Sequence, residues 1–254
     1  MTILTTKTIH SKIAIIITAA GSSTRIGGGI KKEYIPYKNG TVLSVCAETF
    51  LNAFAGEDGI EITDFIVTCP KGGVEKCREA LGMDCFTSLA MTEGAQFTMT
   101  GKTNLSITVV EGSDTRQKSV YNGLLAVKGQ PDIVLIHDGA RPFVSREVIM
   151  NALEGAIQDG ASVPGITPTD TQKEIDADGF ICRHLVRSNL TAVQTPQCFE
   201  FKKLLEAHGR AAADGHEYTD DTEIWGVYCG RVRVTPGDVN NIKITYPSDL
   251  EKIK

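Results

Sequence analysis

The stretch TAAGSSTRIGGGIKKEY, from Thr18 to Tyr34, follows directly on the apolar run from Ile13 to Ile17. It combines four glycines with several hydroxyl side chains, one arginine and two adjacent lysines. Small residues free backbone N–H groups to meet an anion, and Arg25 and Lys32 in one segment repel each other unless a negative charge lies between them. The chemistry that suits this composition is phosphate binding. The spacing fits neither common nucleotide fingerprint, because Gly-x-x-x-x-Gly-Lys-Ser/Thr is absent and Gly-x-Gly-x-x-Gly does not follow the strand. A purely structural turn is the competing reading.

Two further blocks carry charge beside small residues. In HDGARPF, Asp138 follows a buried-looking strand and Arg141 precedes a proline. Asp138 could hold a sugar hydroxyl or sit near a metal, and Arg141 could hold a substrate oxygen. An Asp–Arg pair that merely fixes the loop is the alternative. His137 reads as a packed histidine rather than a base. In GSDTRQKS, Gly112, Ser113, Asp114 and Ser119 offer small and polar edges able to read a base, while Asp114 could also cap the following helix. The five histidines are scattered, so no Ser-His-Asp or Cys-His arrangement is supported. Chemistry here would run on positioning and positive charge, as phosphoryl-type transfers do.

These blocks need a frame. IAIIIT (13–18), DFIVTC (64–69), LSITVV (105–110), DIVLIH (132–137) and ASVPGI read as strands apolar on both faces. LSVCAETFLNAF, GGVEKCREALG and DTRQKSVYNGLLAV read as the helices between them, and Ser145 as the cap of another that runs to about 159. Strand alternating with helix predicts an α/β fold, a mainly parallel sheet with helices on both sides. Ligands in such sheets bind at the carboxyl ends of the strands, which is where the charged blocks fall. TQKEIDADGFICRHLV (171–186) places a turn between two short strand-like stretches and reads as a hairpin arm outside the sheet. Residues 84–104 show no clean period.

The chain has 254 residues, 41% of them hydrophobic, enough for one large domain or two small ones, and a formal charge of −5. That charge argues against a nucleic-acid partner, so the local cations suit a small anion. Seven cysteines without a Cys-x-x-Cys pair predict reduced thiols. The polar start and the lack of any run near ~20 apolar residues predict a cytoplasmic protein without a signal peptide or membrane partner.

Taken together and in order, AAGSSTR…KKEY, GSDTRQKSV, HDGARPF, DTQK, VRSNLTAVQTPQCF, YTDD and NIKIT resemble the 2-C-methyl-D-erythritol 4-phosphate cytidylyltransferases of isoprenoid biosynthesis. The resemblance spans about residues 13–250. It implies a single Rossmann-like nucleotidyltransferase domain over 1–254, a three-layer sandwich whose arm at about 170–188 joins a homodimer. It also implies transfer from CTP to methylerythritol phosphate with Mg2+. Arg25, Lys32 and Lys243 would be catalytic. Ala19, Ala20, Gly21, Ser113, Asp114, Ser119 and Gly139 would hold the nucleotide. Asp138, Arg141, Thr171, Arg187, Thr195 and Thr219 would hold the acceptor.

Some positions depart from the family pattern. A Pro-Lys is common where this chain has Lys31-Lys32, so Lys31 adds a cation or substitutes for Lys32. Thr191 stands where a tryptophan is usual. Ser113 stands where Gly is common and Gly139 where Ala is, both small changes. Ribitol 5-phosphate cytidylyltransferase shares the CTP machinery and is the nearest alternative. A non-catalytic nucleotide-binding module is the alternative from another class, and a sugar-nucleotide uridylyltransferase is a third.

Overall fold

Alternate residues of β1 (Ser11–Thr18) serve opposite faces. Ile13, Ile15 and Ile17 pack into one core and Ala14 and Ile16 into another, all fully buried. A strand covered on both faces needs a helical layer on each side. The computed structural model describes residues 10–23, 25–26, 31–83 and 105–253, and it supplies both layers. The expectation for 84–104 and the GGG of 27–29 lie outside the described residues.

After β1 come a short hairpin, β2 (Pro36–Tyr37) and β3 (Gly40–Thr41), then α1 (Val42–Phe54) and β4 (Ile60–Cys69). α2 (Val74–Ala80), β5 (Ile107–Glu111), α3 (Arg116–Leu125) and β6 (Ile133–Asp138) follow, then α4 (Arg146–Asp159) and β7 (Ala161–Ile166). The arm is β8 (Lys173–Ile175) and β9 (Ile181–His184). The chain ends with β10 (Ala192–Val193), β11 (Gln197–Glu200), α5 (Phe201–Asp214), α6 (Asp221–Tyr228) and β12 (Arg233–Pro236). The main sheet runs β10-β7-β11-β6-β1-β4-β5, with β12 also on β7. β1 lies parallel to β4 and β6, and β4 parallel to β5. β11 runs antiparallel to both β6 and β7, and the short β10 runs antiparallel to β7. α1 and α4 cover one face through Leu43, Phe50, Ile149 and Leu153. α3, α5 and α6 cover the other through Val120, Leu124, Leu204 and Trp225.

Caps set where the helices begin. Thr41 and Ser44 form a reciprocal capping box on α1, and Ser145 caps α4, which ends at Gly160 with φ +83°. Each such cap contributes about 1 kcal/mol. At α3 the expectation needs correction: Thr115, not Asp114, accepts from the N–H of Lys118. Asp114 is instead drawn outward to Lys118 Nζ at 3.0 Å.

The expected arm is present as an antiparallel pair that stands apart from the main sheet. Its turn is held by Asp176, whose Oδ1 accepts from the N–H groups of Asp178 and Phe180 at 3.1 and 2.9 Å. Gly179 supplies the positive φ (+86°) that the turn requires. Among the described residues, no helix is long and apolar enough to cross a membrane. The six described cysteines are free thiols, four of them buried.

Candidate active site

The chain lays β4 and β5 on one side of β1 and then returns to place β6 on the other. Between β1 and β6 the connections diverge, and ligands of open α/β sheets bind above such a point. Thr18 and Asp138 end these two strands in register, and the N–H of Gly139 donates to the Thr18 carbonyl at 2.9 Å. A cavity of about 1350 Å³ opens there. Its walls come from the first loop (Ala20 to Ser23, Arg25, Lys31 to Glu33), from Glu111 to Arg116, and from Asp138, Ala140 and Lys243.

Asp138 organises the centre. Its Oδ2 lies 2.7 Å from Lys243 Nζ and 3.7 Å from Arg141 Nε, and its Oδ1 lies 3.7 Å from Arg116 Nε. Thr18 Oγ1 adds a hydrogen bond to Oδ1 at 3.4 Å. Burial alone would raise the carboxyl, but Lys243, Arg116 and Arg141 outweigh it and hold Asp138 far below the usual carboxylate range. Asp138 is therefore a permanent anion, unable to serve as a general acid near neutral pH.

The backbone behind Asp138 is fixed by a buried polar chain. Its N–H donates to Thr195 Oγ1 at 3.2 Å, and that hydroxyl faces His137 Nδ1 at 2.9 Å. His137 Nε2 faces the Arg141 carbonyl at 3.1 Å. A carbonyl only accepts, so Nε2 carries the proton and Nδ1 accepts from Thr195. Burial lowers the His137 pKa to about 4, which keeps the ring neutral. Packed on Phe50, it is the structural histidine the sequence suggests.

The two lysines of the first loop part company. Lys31 Nζ donates to the Gly21 carbonyl at 2.6 Å and lies 3.4 Å from Glu33, above the ring of Tyr34. Lys32 is itself buried, and its N–H donates to Ser23 Oγ at 3.2 Å. Among the described residues its ammonium has no hydrogen bond or ion pair. Burial lowers the Lys32 pKa, Glu33 opposes that, and Lys243 lowers it further. A buried ammonium without a partner among the described residues is a cation held ready for an anion. Arg25 lies on the same wall, 5.9 Å over the ring of Tyr246.

The opposite wall is the loop between β5 and α3. Gly112 donates its N–H to the Cys69 carbonyl at 2.7 Å. A β-carbon at 112 would collide with that of Ala20 and lie 2.8 Å from Ser119 Oγ, so the two loops touch through this glycine. Ser119 Oγ accepts from the N–H of Ser113 at 2.9 Å and donates to the Thr115 carbonyl at 2.8 Å, which gives the loop one shape.

Of the residues singled out in the sequence, the cavity thus gathers Ala20, Gly21, Arg25, Lys32, Ser113, Asp114, Ser119, Asp138 and Lys243. Others lie elsewhere. Ala19 is fully buried in the core, its N–H bonded to the Thr68 carbonyl at 2.9 Å. Gly139 packs on Leu43 and Ile17, and Ala140 lines the cavity in its place. Arg141 spends Nη1 on the Asn241 carbonyl at 2.6 Å and faces Asp138, the loop-fixing pair weighed as the alternative. Thr195 is buried beneath Asp138. Thr171 is exposed on the approach to the arm, and Arg187 beyond it donates to the Thr169 carbonyl at 2.8 Å. Thr219 donates to Glu223 at 2.7 Å at the start of α6. Lys31, expected to add a cation or substitute for Lys32, lines the cavity, and Arg116 and Glu33 line it without having been assigned roles. The one sequence signal for Arg116 was its place inside GSDTRQKS.

A metal cage is not built into these walls. Among the described residues, no three His, Cys, Asp or Glu side chains lie together as ligands, and Asp138 is already committed to Lys243.

Comparison with known proteins decides the affiliation. Residues 13–254 match the family model IspD, described as 2-C-methyl-D-erythritol 4-phosphate cytidylyltransferase. The chain belongs to this family. Among curated IspD relatives, a Clostridium novyi protein named 2-C-methyl-D-erythritol 4-phosphate cytidylyltransferase is 37% identical over 94% of both chains. One of the same name from Clostridium beijerinckii is 36% identical over 94% of this chain and 95% of its own. The crystal structure of 4-diphosphocytidyl-2C-methyl-D-erythritol synthase from Anaerococcus prevotii superposes with a TM-score of 0.73 at 28% identity, covering 96% of this chain and 97% of that one. The Thermus thermophilus cytidylyltransferase superposes at 0.67 and 29% identity, covering 95% and 97%. The IspD assignment therefore covers the sheet, the arm and every loop of the cavity.

Proposed function

We propose that this chain transfers the cytidylyl group of CTP to 2-C-methyl-D-erythritol 4-phosphate and releases pyrophosphate. The observation that carries this reading is the convergence of Lys32, Lys243 and Arg25 on one cavity whose far wall is the Ser113–Ser119 loop. Cytosine fits the small polar wall, and the triphosphate lies across the cations. A phosphate oxygen of the acceptor attacks the α-phosphorus, the P–O bond to pyrophosphate breaks, and no covalent enzyme intermediate forms. As the phosphorus becomes five-coordinate, charge grows on its oxygens, where preorganised cations count most. Lys32 is already desolvated, so little reorganisation is needed at that moment. Asp138 steadies Lys243 and, as a permanent anion, accepts hydrogen bonds from hydroxyls.

Mg2+ would accompany CTP as part of the substrate and would offset the charge of its triphosphate. The acceptor-side residues Arg187, Thr171 and Thr219 lie on or near the arm and the start of α6, away from the cavity wall of the same chain. A homodimer supplies a reason: the arm of one protomer completes the acceptor side of its partner. The arm supports this by exposing Ile175, Phe180, Ile181 and Val186, each more than half accessible. A two-stranded hairpin is marginal on its own.

Pyrophosphate release is the test, with Mg–CTP and either methylerythritol phosphate, ribitol 5-phosphate or no acceptor. Release with methylerythritol phosphate alone is expected. Equal rates with both polyol phosphates overturn the acceptor assignment, and no release with any acceptor leaves only a nucleotide-binding module.

A further inference from the structure

Arg116, the first residue of α3, lines the cavity beside Asp138 but is held from outside it. Its Nη1 donates to Asp221 Oδ2 at 2.7 Å, and the other oxygen of Asp221 faces His208 Nε2 at 3.0 Å. Asp221 on α6 and His208 on α5 are both buried. One guanidinium therefore stands between two carboxylates, at 2.7 Å from Asp221 and 3.7 Å from Asp138. Asp221 has the closer hold.

The consequence falls on Lys243. Asp138 presents Oδ2 to Lys243 at 2.7 Å and to Arg141 Nε at 3.7 Å, while Oδ1 faces Thr18 and, at 3.7 Å, Arg116. Released from Asp221, Arg116 would close on Oδ1 and rotate the carboxylate. Lys243 would then lose the contact that fixes its ammonium. Removed altogether, Arg116 would leave Oδ1 with Thr18 alone. A strut serving only to join α3 to α6 would need the Arg116–Asp221 pair and no face toward Asp138. We infer that Arg116, tethered by Asp221, is a positioning residue that sets the rotation of the Asp138 carboxylate and thereby the place of the Lys243 ammonium. This rests on the cytidylyl-transfer reading above.

Turnover and stability should come apart in a mutant cycle. Arg116→Gln strands the buried Asp221 charge, and Asp221→Asn strands Arg116, so each lowers Tm and kcat. The double variant replaces the ion pair with neutral amides, and its Tm returns toward wild type. Its kcat is expected to stay about 10- to 100-fold low, the scale of a misplaced group near the reacting atoms, with KM for CTP little changed. Arg116→Lys keeps Asp221 compensated but cannot face both carboxylates as a fork does. It should retain wild-type Tm and lose about 10-fold in kcat. Recovery of kcat together with Tm in the double variant, or wild-type kcat in a folded Arg116→Lys, overturns the inference. Absence of wild-type turnover overturns the parent reading and this one with it.

Discussion

The ammonium of Lys243 stands 2.7 Å from Oδ2 of Asp138, joining the last stretch of the chain to the end of β6. Lys243 is 36% exposed and Asp138 only 10% by side chain. Removing the cation therefore strands a mostly buried anion.

Lys243→Met should destabilise the protein by about 2 kcal/mol, less than the ~3–5 of a fully buried pair because one partner meets solvent. The pH dependence follows from the depressed Asp138 carboxyl. A carboxyl lowered by folding stabilises the protein above its unfolded value of about 4 and loses that contribution as pH falls toward the folded value. Lys243→Met raises the folded value, so acid unfolding moves to higher pH. Trp225, the only tryptophan in the sequence and buried, gives a fluorescence readout. An unchanged acid midpoint would show that Lys243 does not hold the carboxylate.

The adjacent lysines should give different kinetics. Lys32→Ala is expected to lower kcat by about 10²–10³, the effect of losing one transition-state donor, with Arg25→Ala similar. Lys31 is spent on the Gly21 carbonyl and Glu33. Lys31→Ala should raise KM for CTP by loosening the loop while kcat falls less than about 10-fold. A greater kcat loss from Lys31→Ala than from Lys32→Ala would reverse these assignments.

Gly112→Ala drives a methyl group between Ala20, Ser119 and the Cys69 carbonyl, 3.1 Å from that backbone oxygen. Overpacking of this kind costs about 1–3 kcal/mol. It also pushes the first loop away from the Ser113 loop, so CTP binding should weaken in calorimetry more than Tm alone accounts for. Loss of Tm with unchanged CTP affinity would sink the claim that Gly112 sets the nucleotide slot.

If the arm pairs two protomers, a charge at its apolar tip should separate them. Phe180→Asp is expected to move the sedimentation mass from dimer to monomer, and to weaken acceptor binding while sparing CTP binding. Arg187→Ala should weaken acceptor binding without changing the mass. A wild-type monomer in sedimentation would refute the dimer.

Much of this frame was legible because β1, β4 and β6 are apolar on both faces and the glycine and serine punctuation between them is sharp. The first loop and Asp138 follow from their places at strand ends, and Ser119 from the small, polar block that follows β5. β11 was not legible: four residues, Gln197 to Glu200, carry no mark of strand direction, and only their pairing with β6 and β7 makes them antiparallel. α5 is absent from the expectations although Phe201, Leu204, Ala207, His208 and Ala211 recur at helical spacing. Arg116 escaped because its partner Asp221 lies 105 positions away, and no local pattern announces such a pair. Thr195 and Arg141 carry the right residue types for ligand contact. Their contacts with His137, Asp138 and the Asn241 carbonyl could not be read from the sequence, because those partners meet them only in the fold.

The joins that bring the strand ends and the tail of the chain to the cavity are distant in the chain. Thr18 meets Asp138 across 120 positions, and Arg141 meets the Asn241 carbonyl across 100. Helices and the local arm close early during folding, while contacts of this span wait on long loop closures. In refolding, ellipticity should therefore return well before the ability to turn over CTP. Catalysis becomes the clock for the last closure, when the tail bearing Lys243 docks against β6.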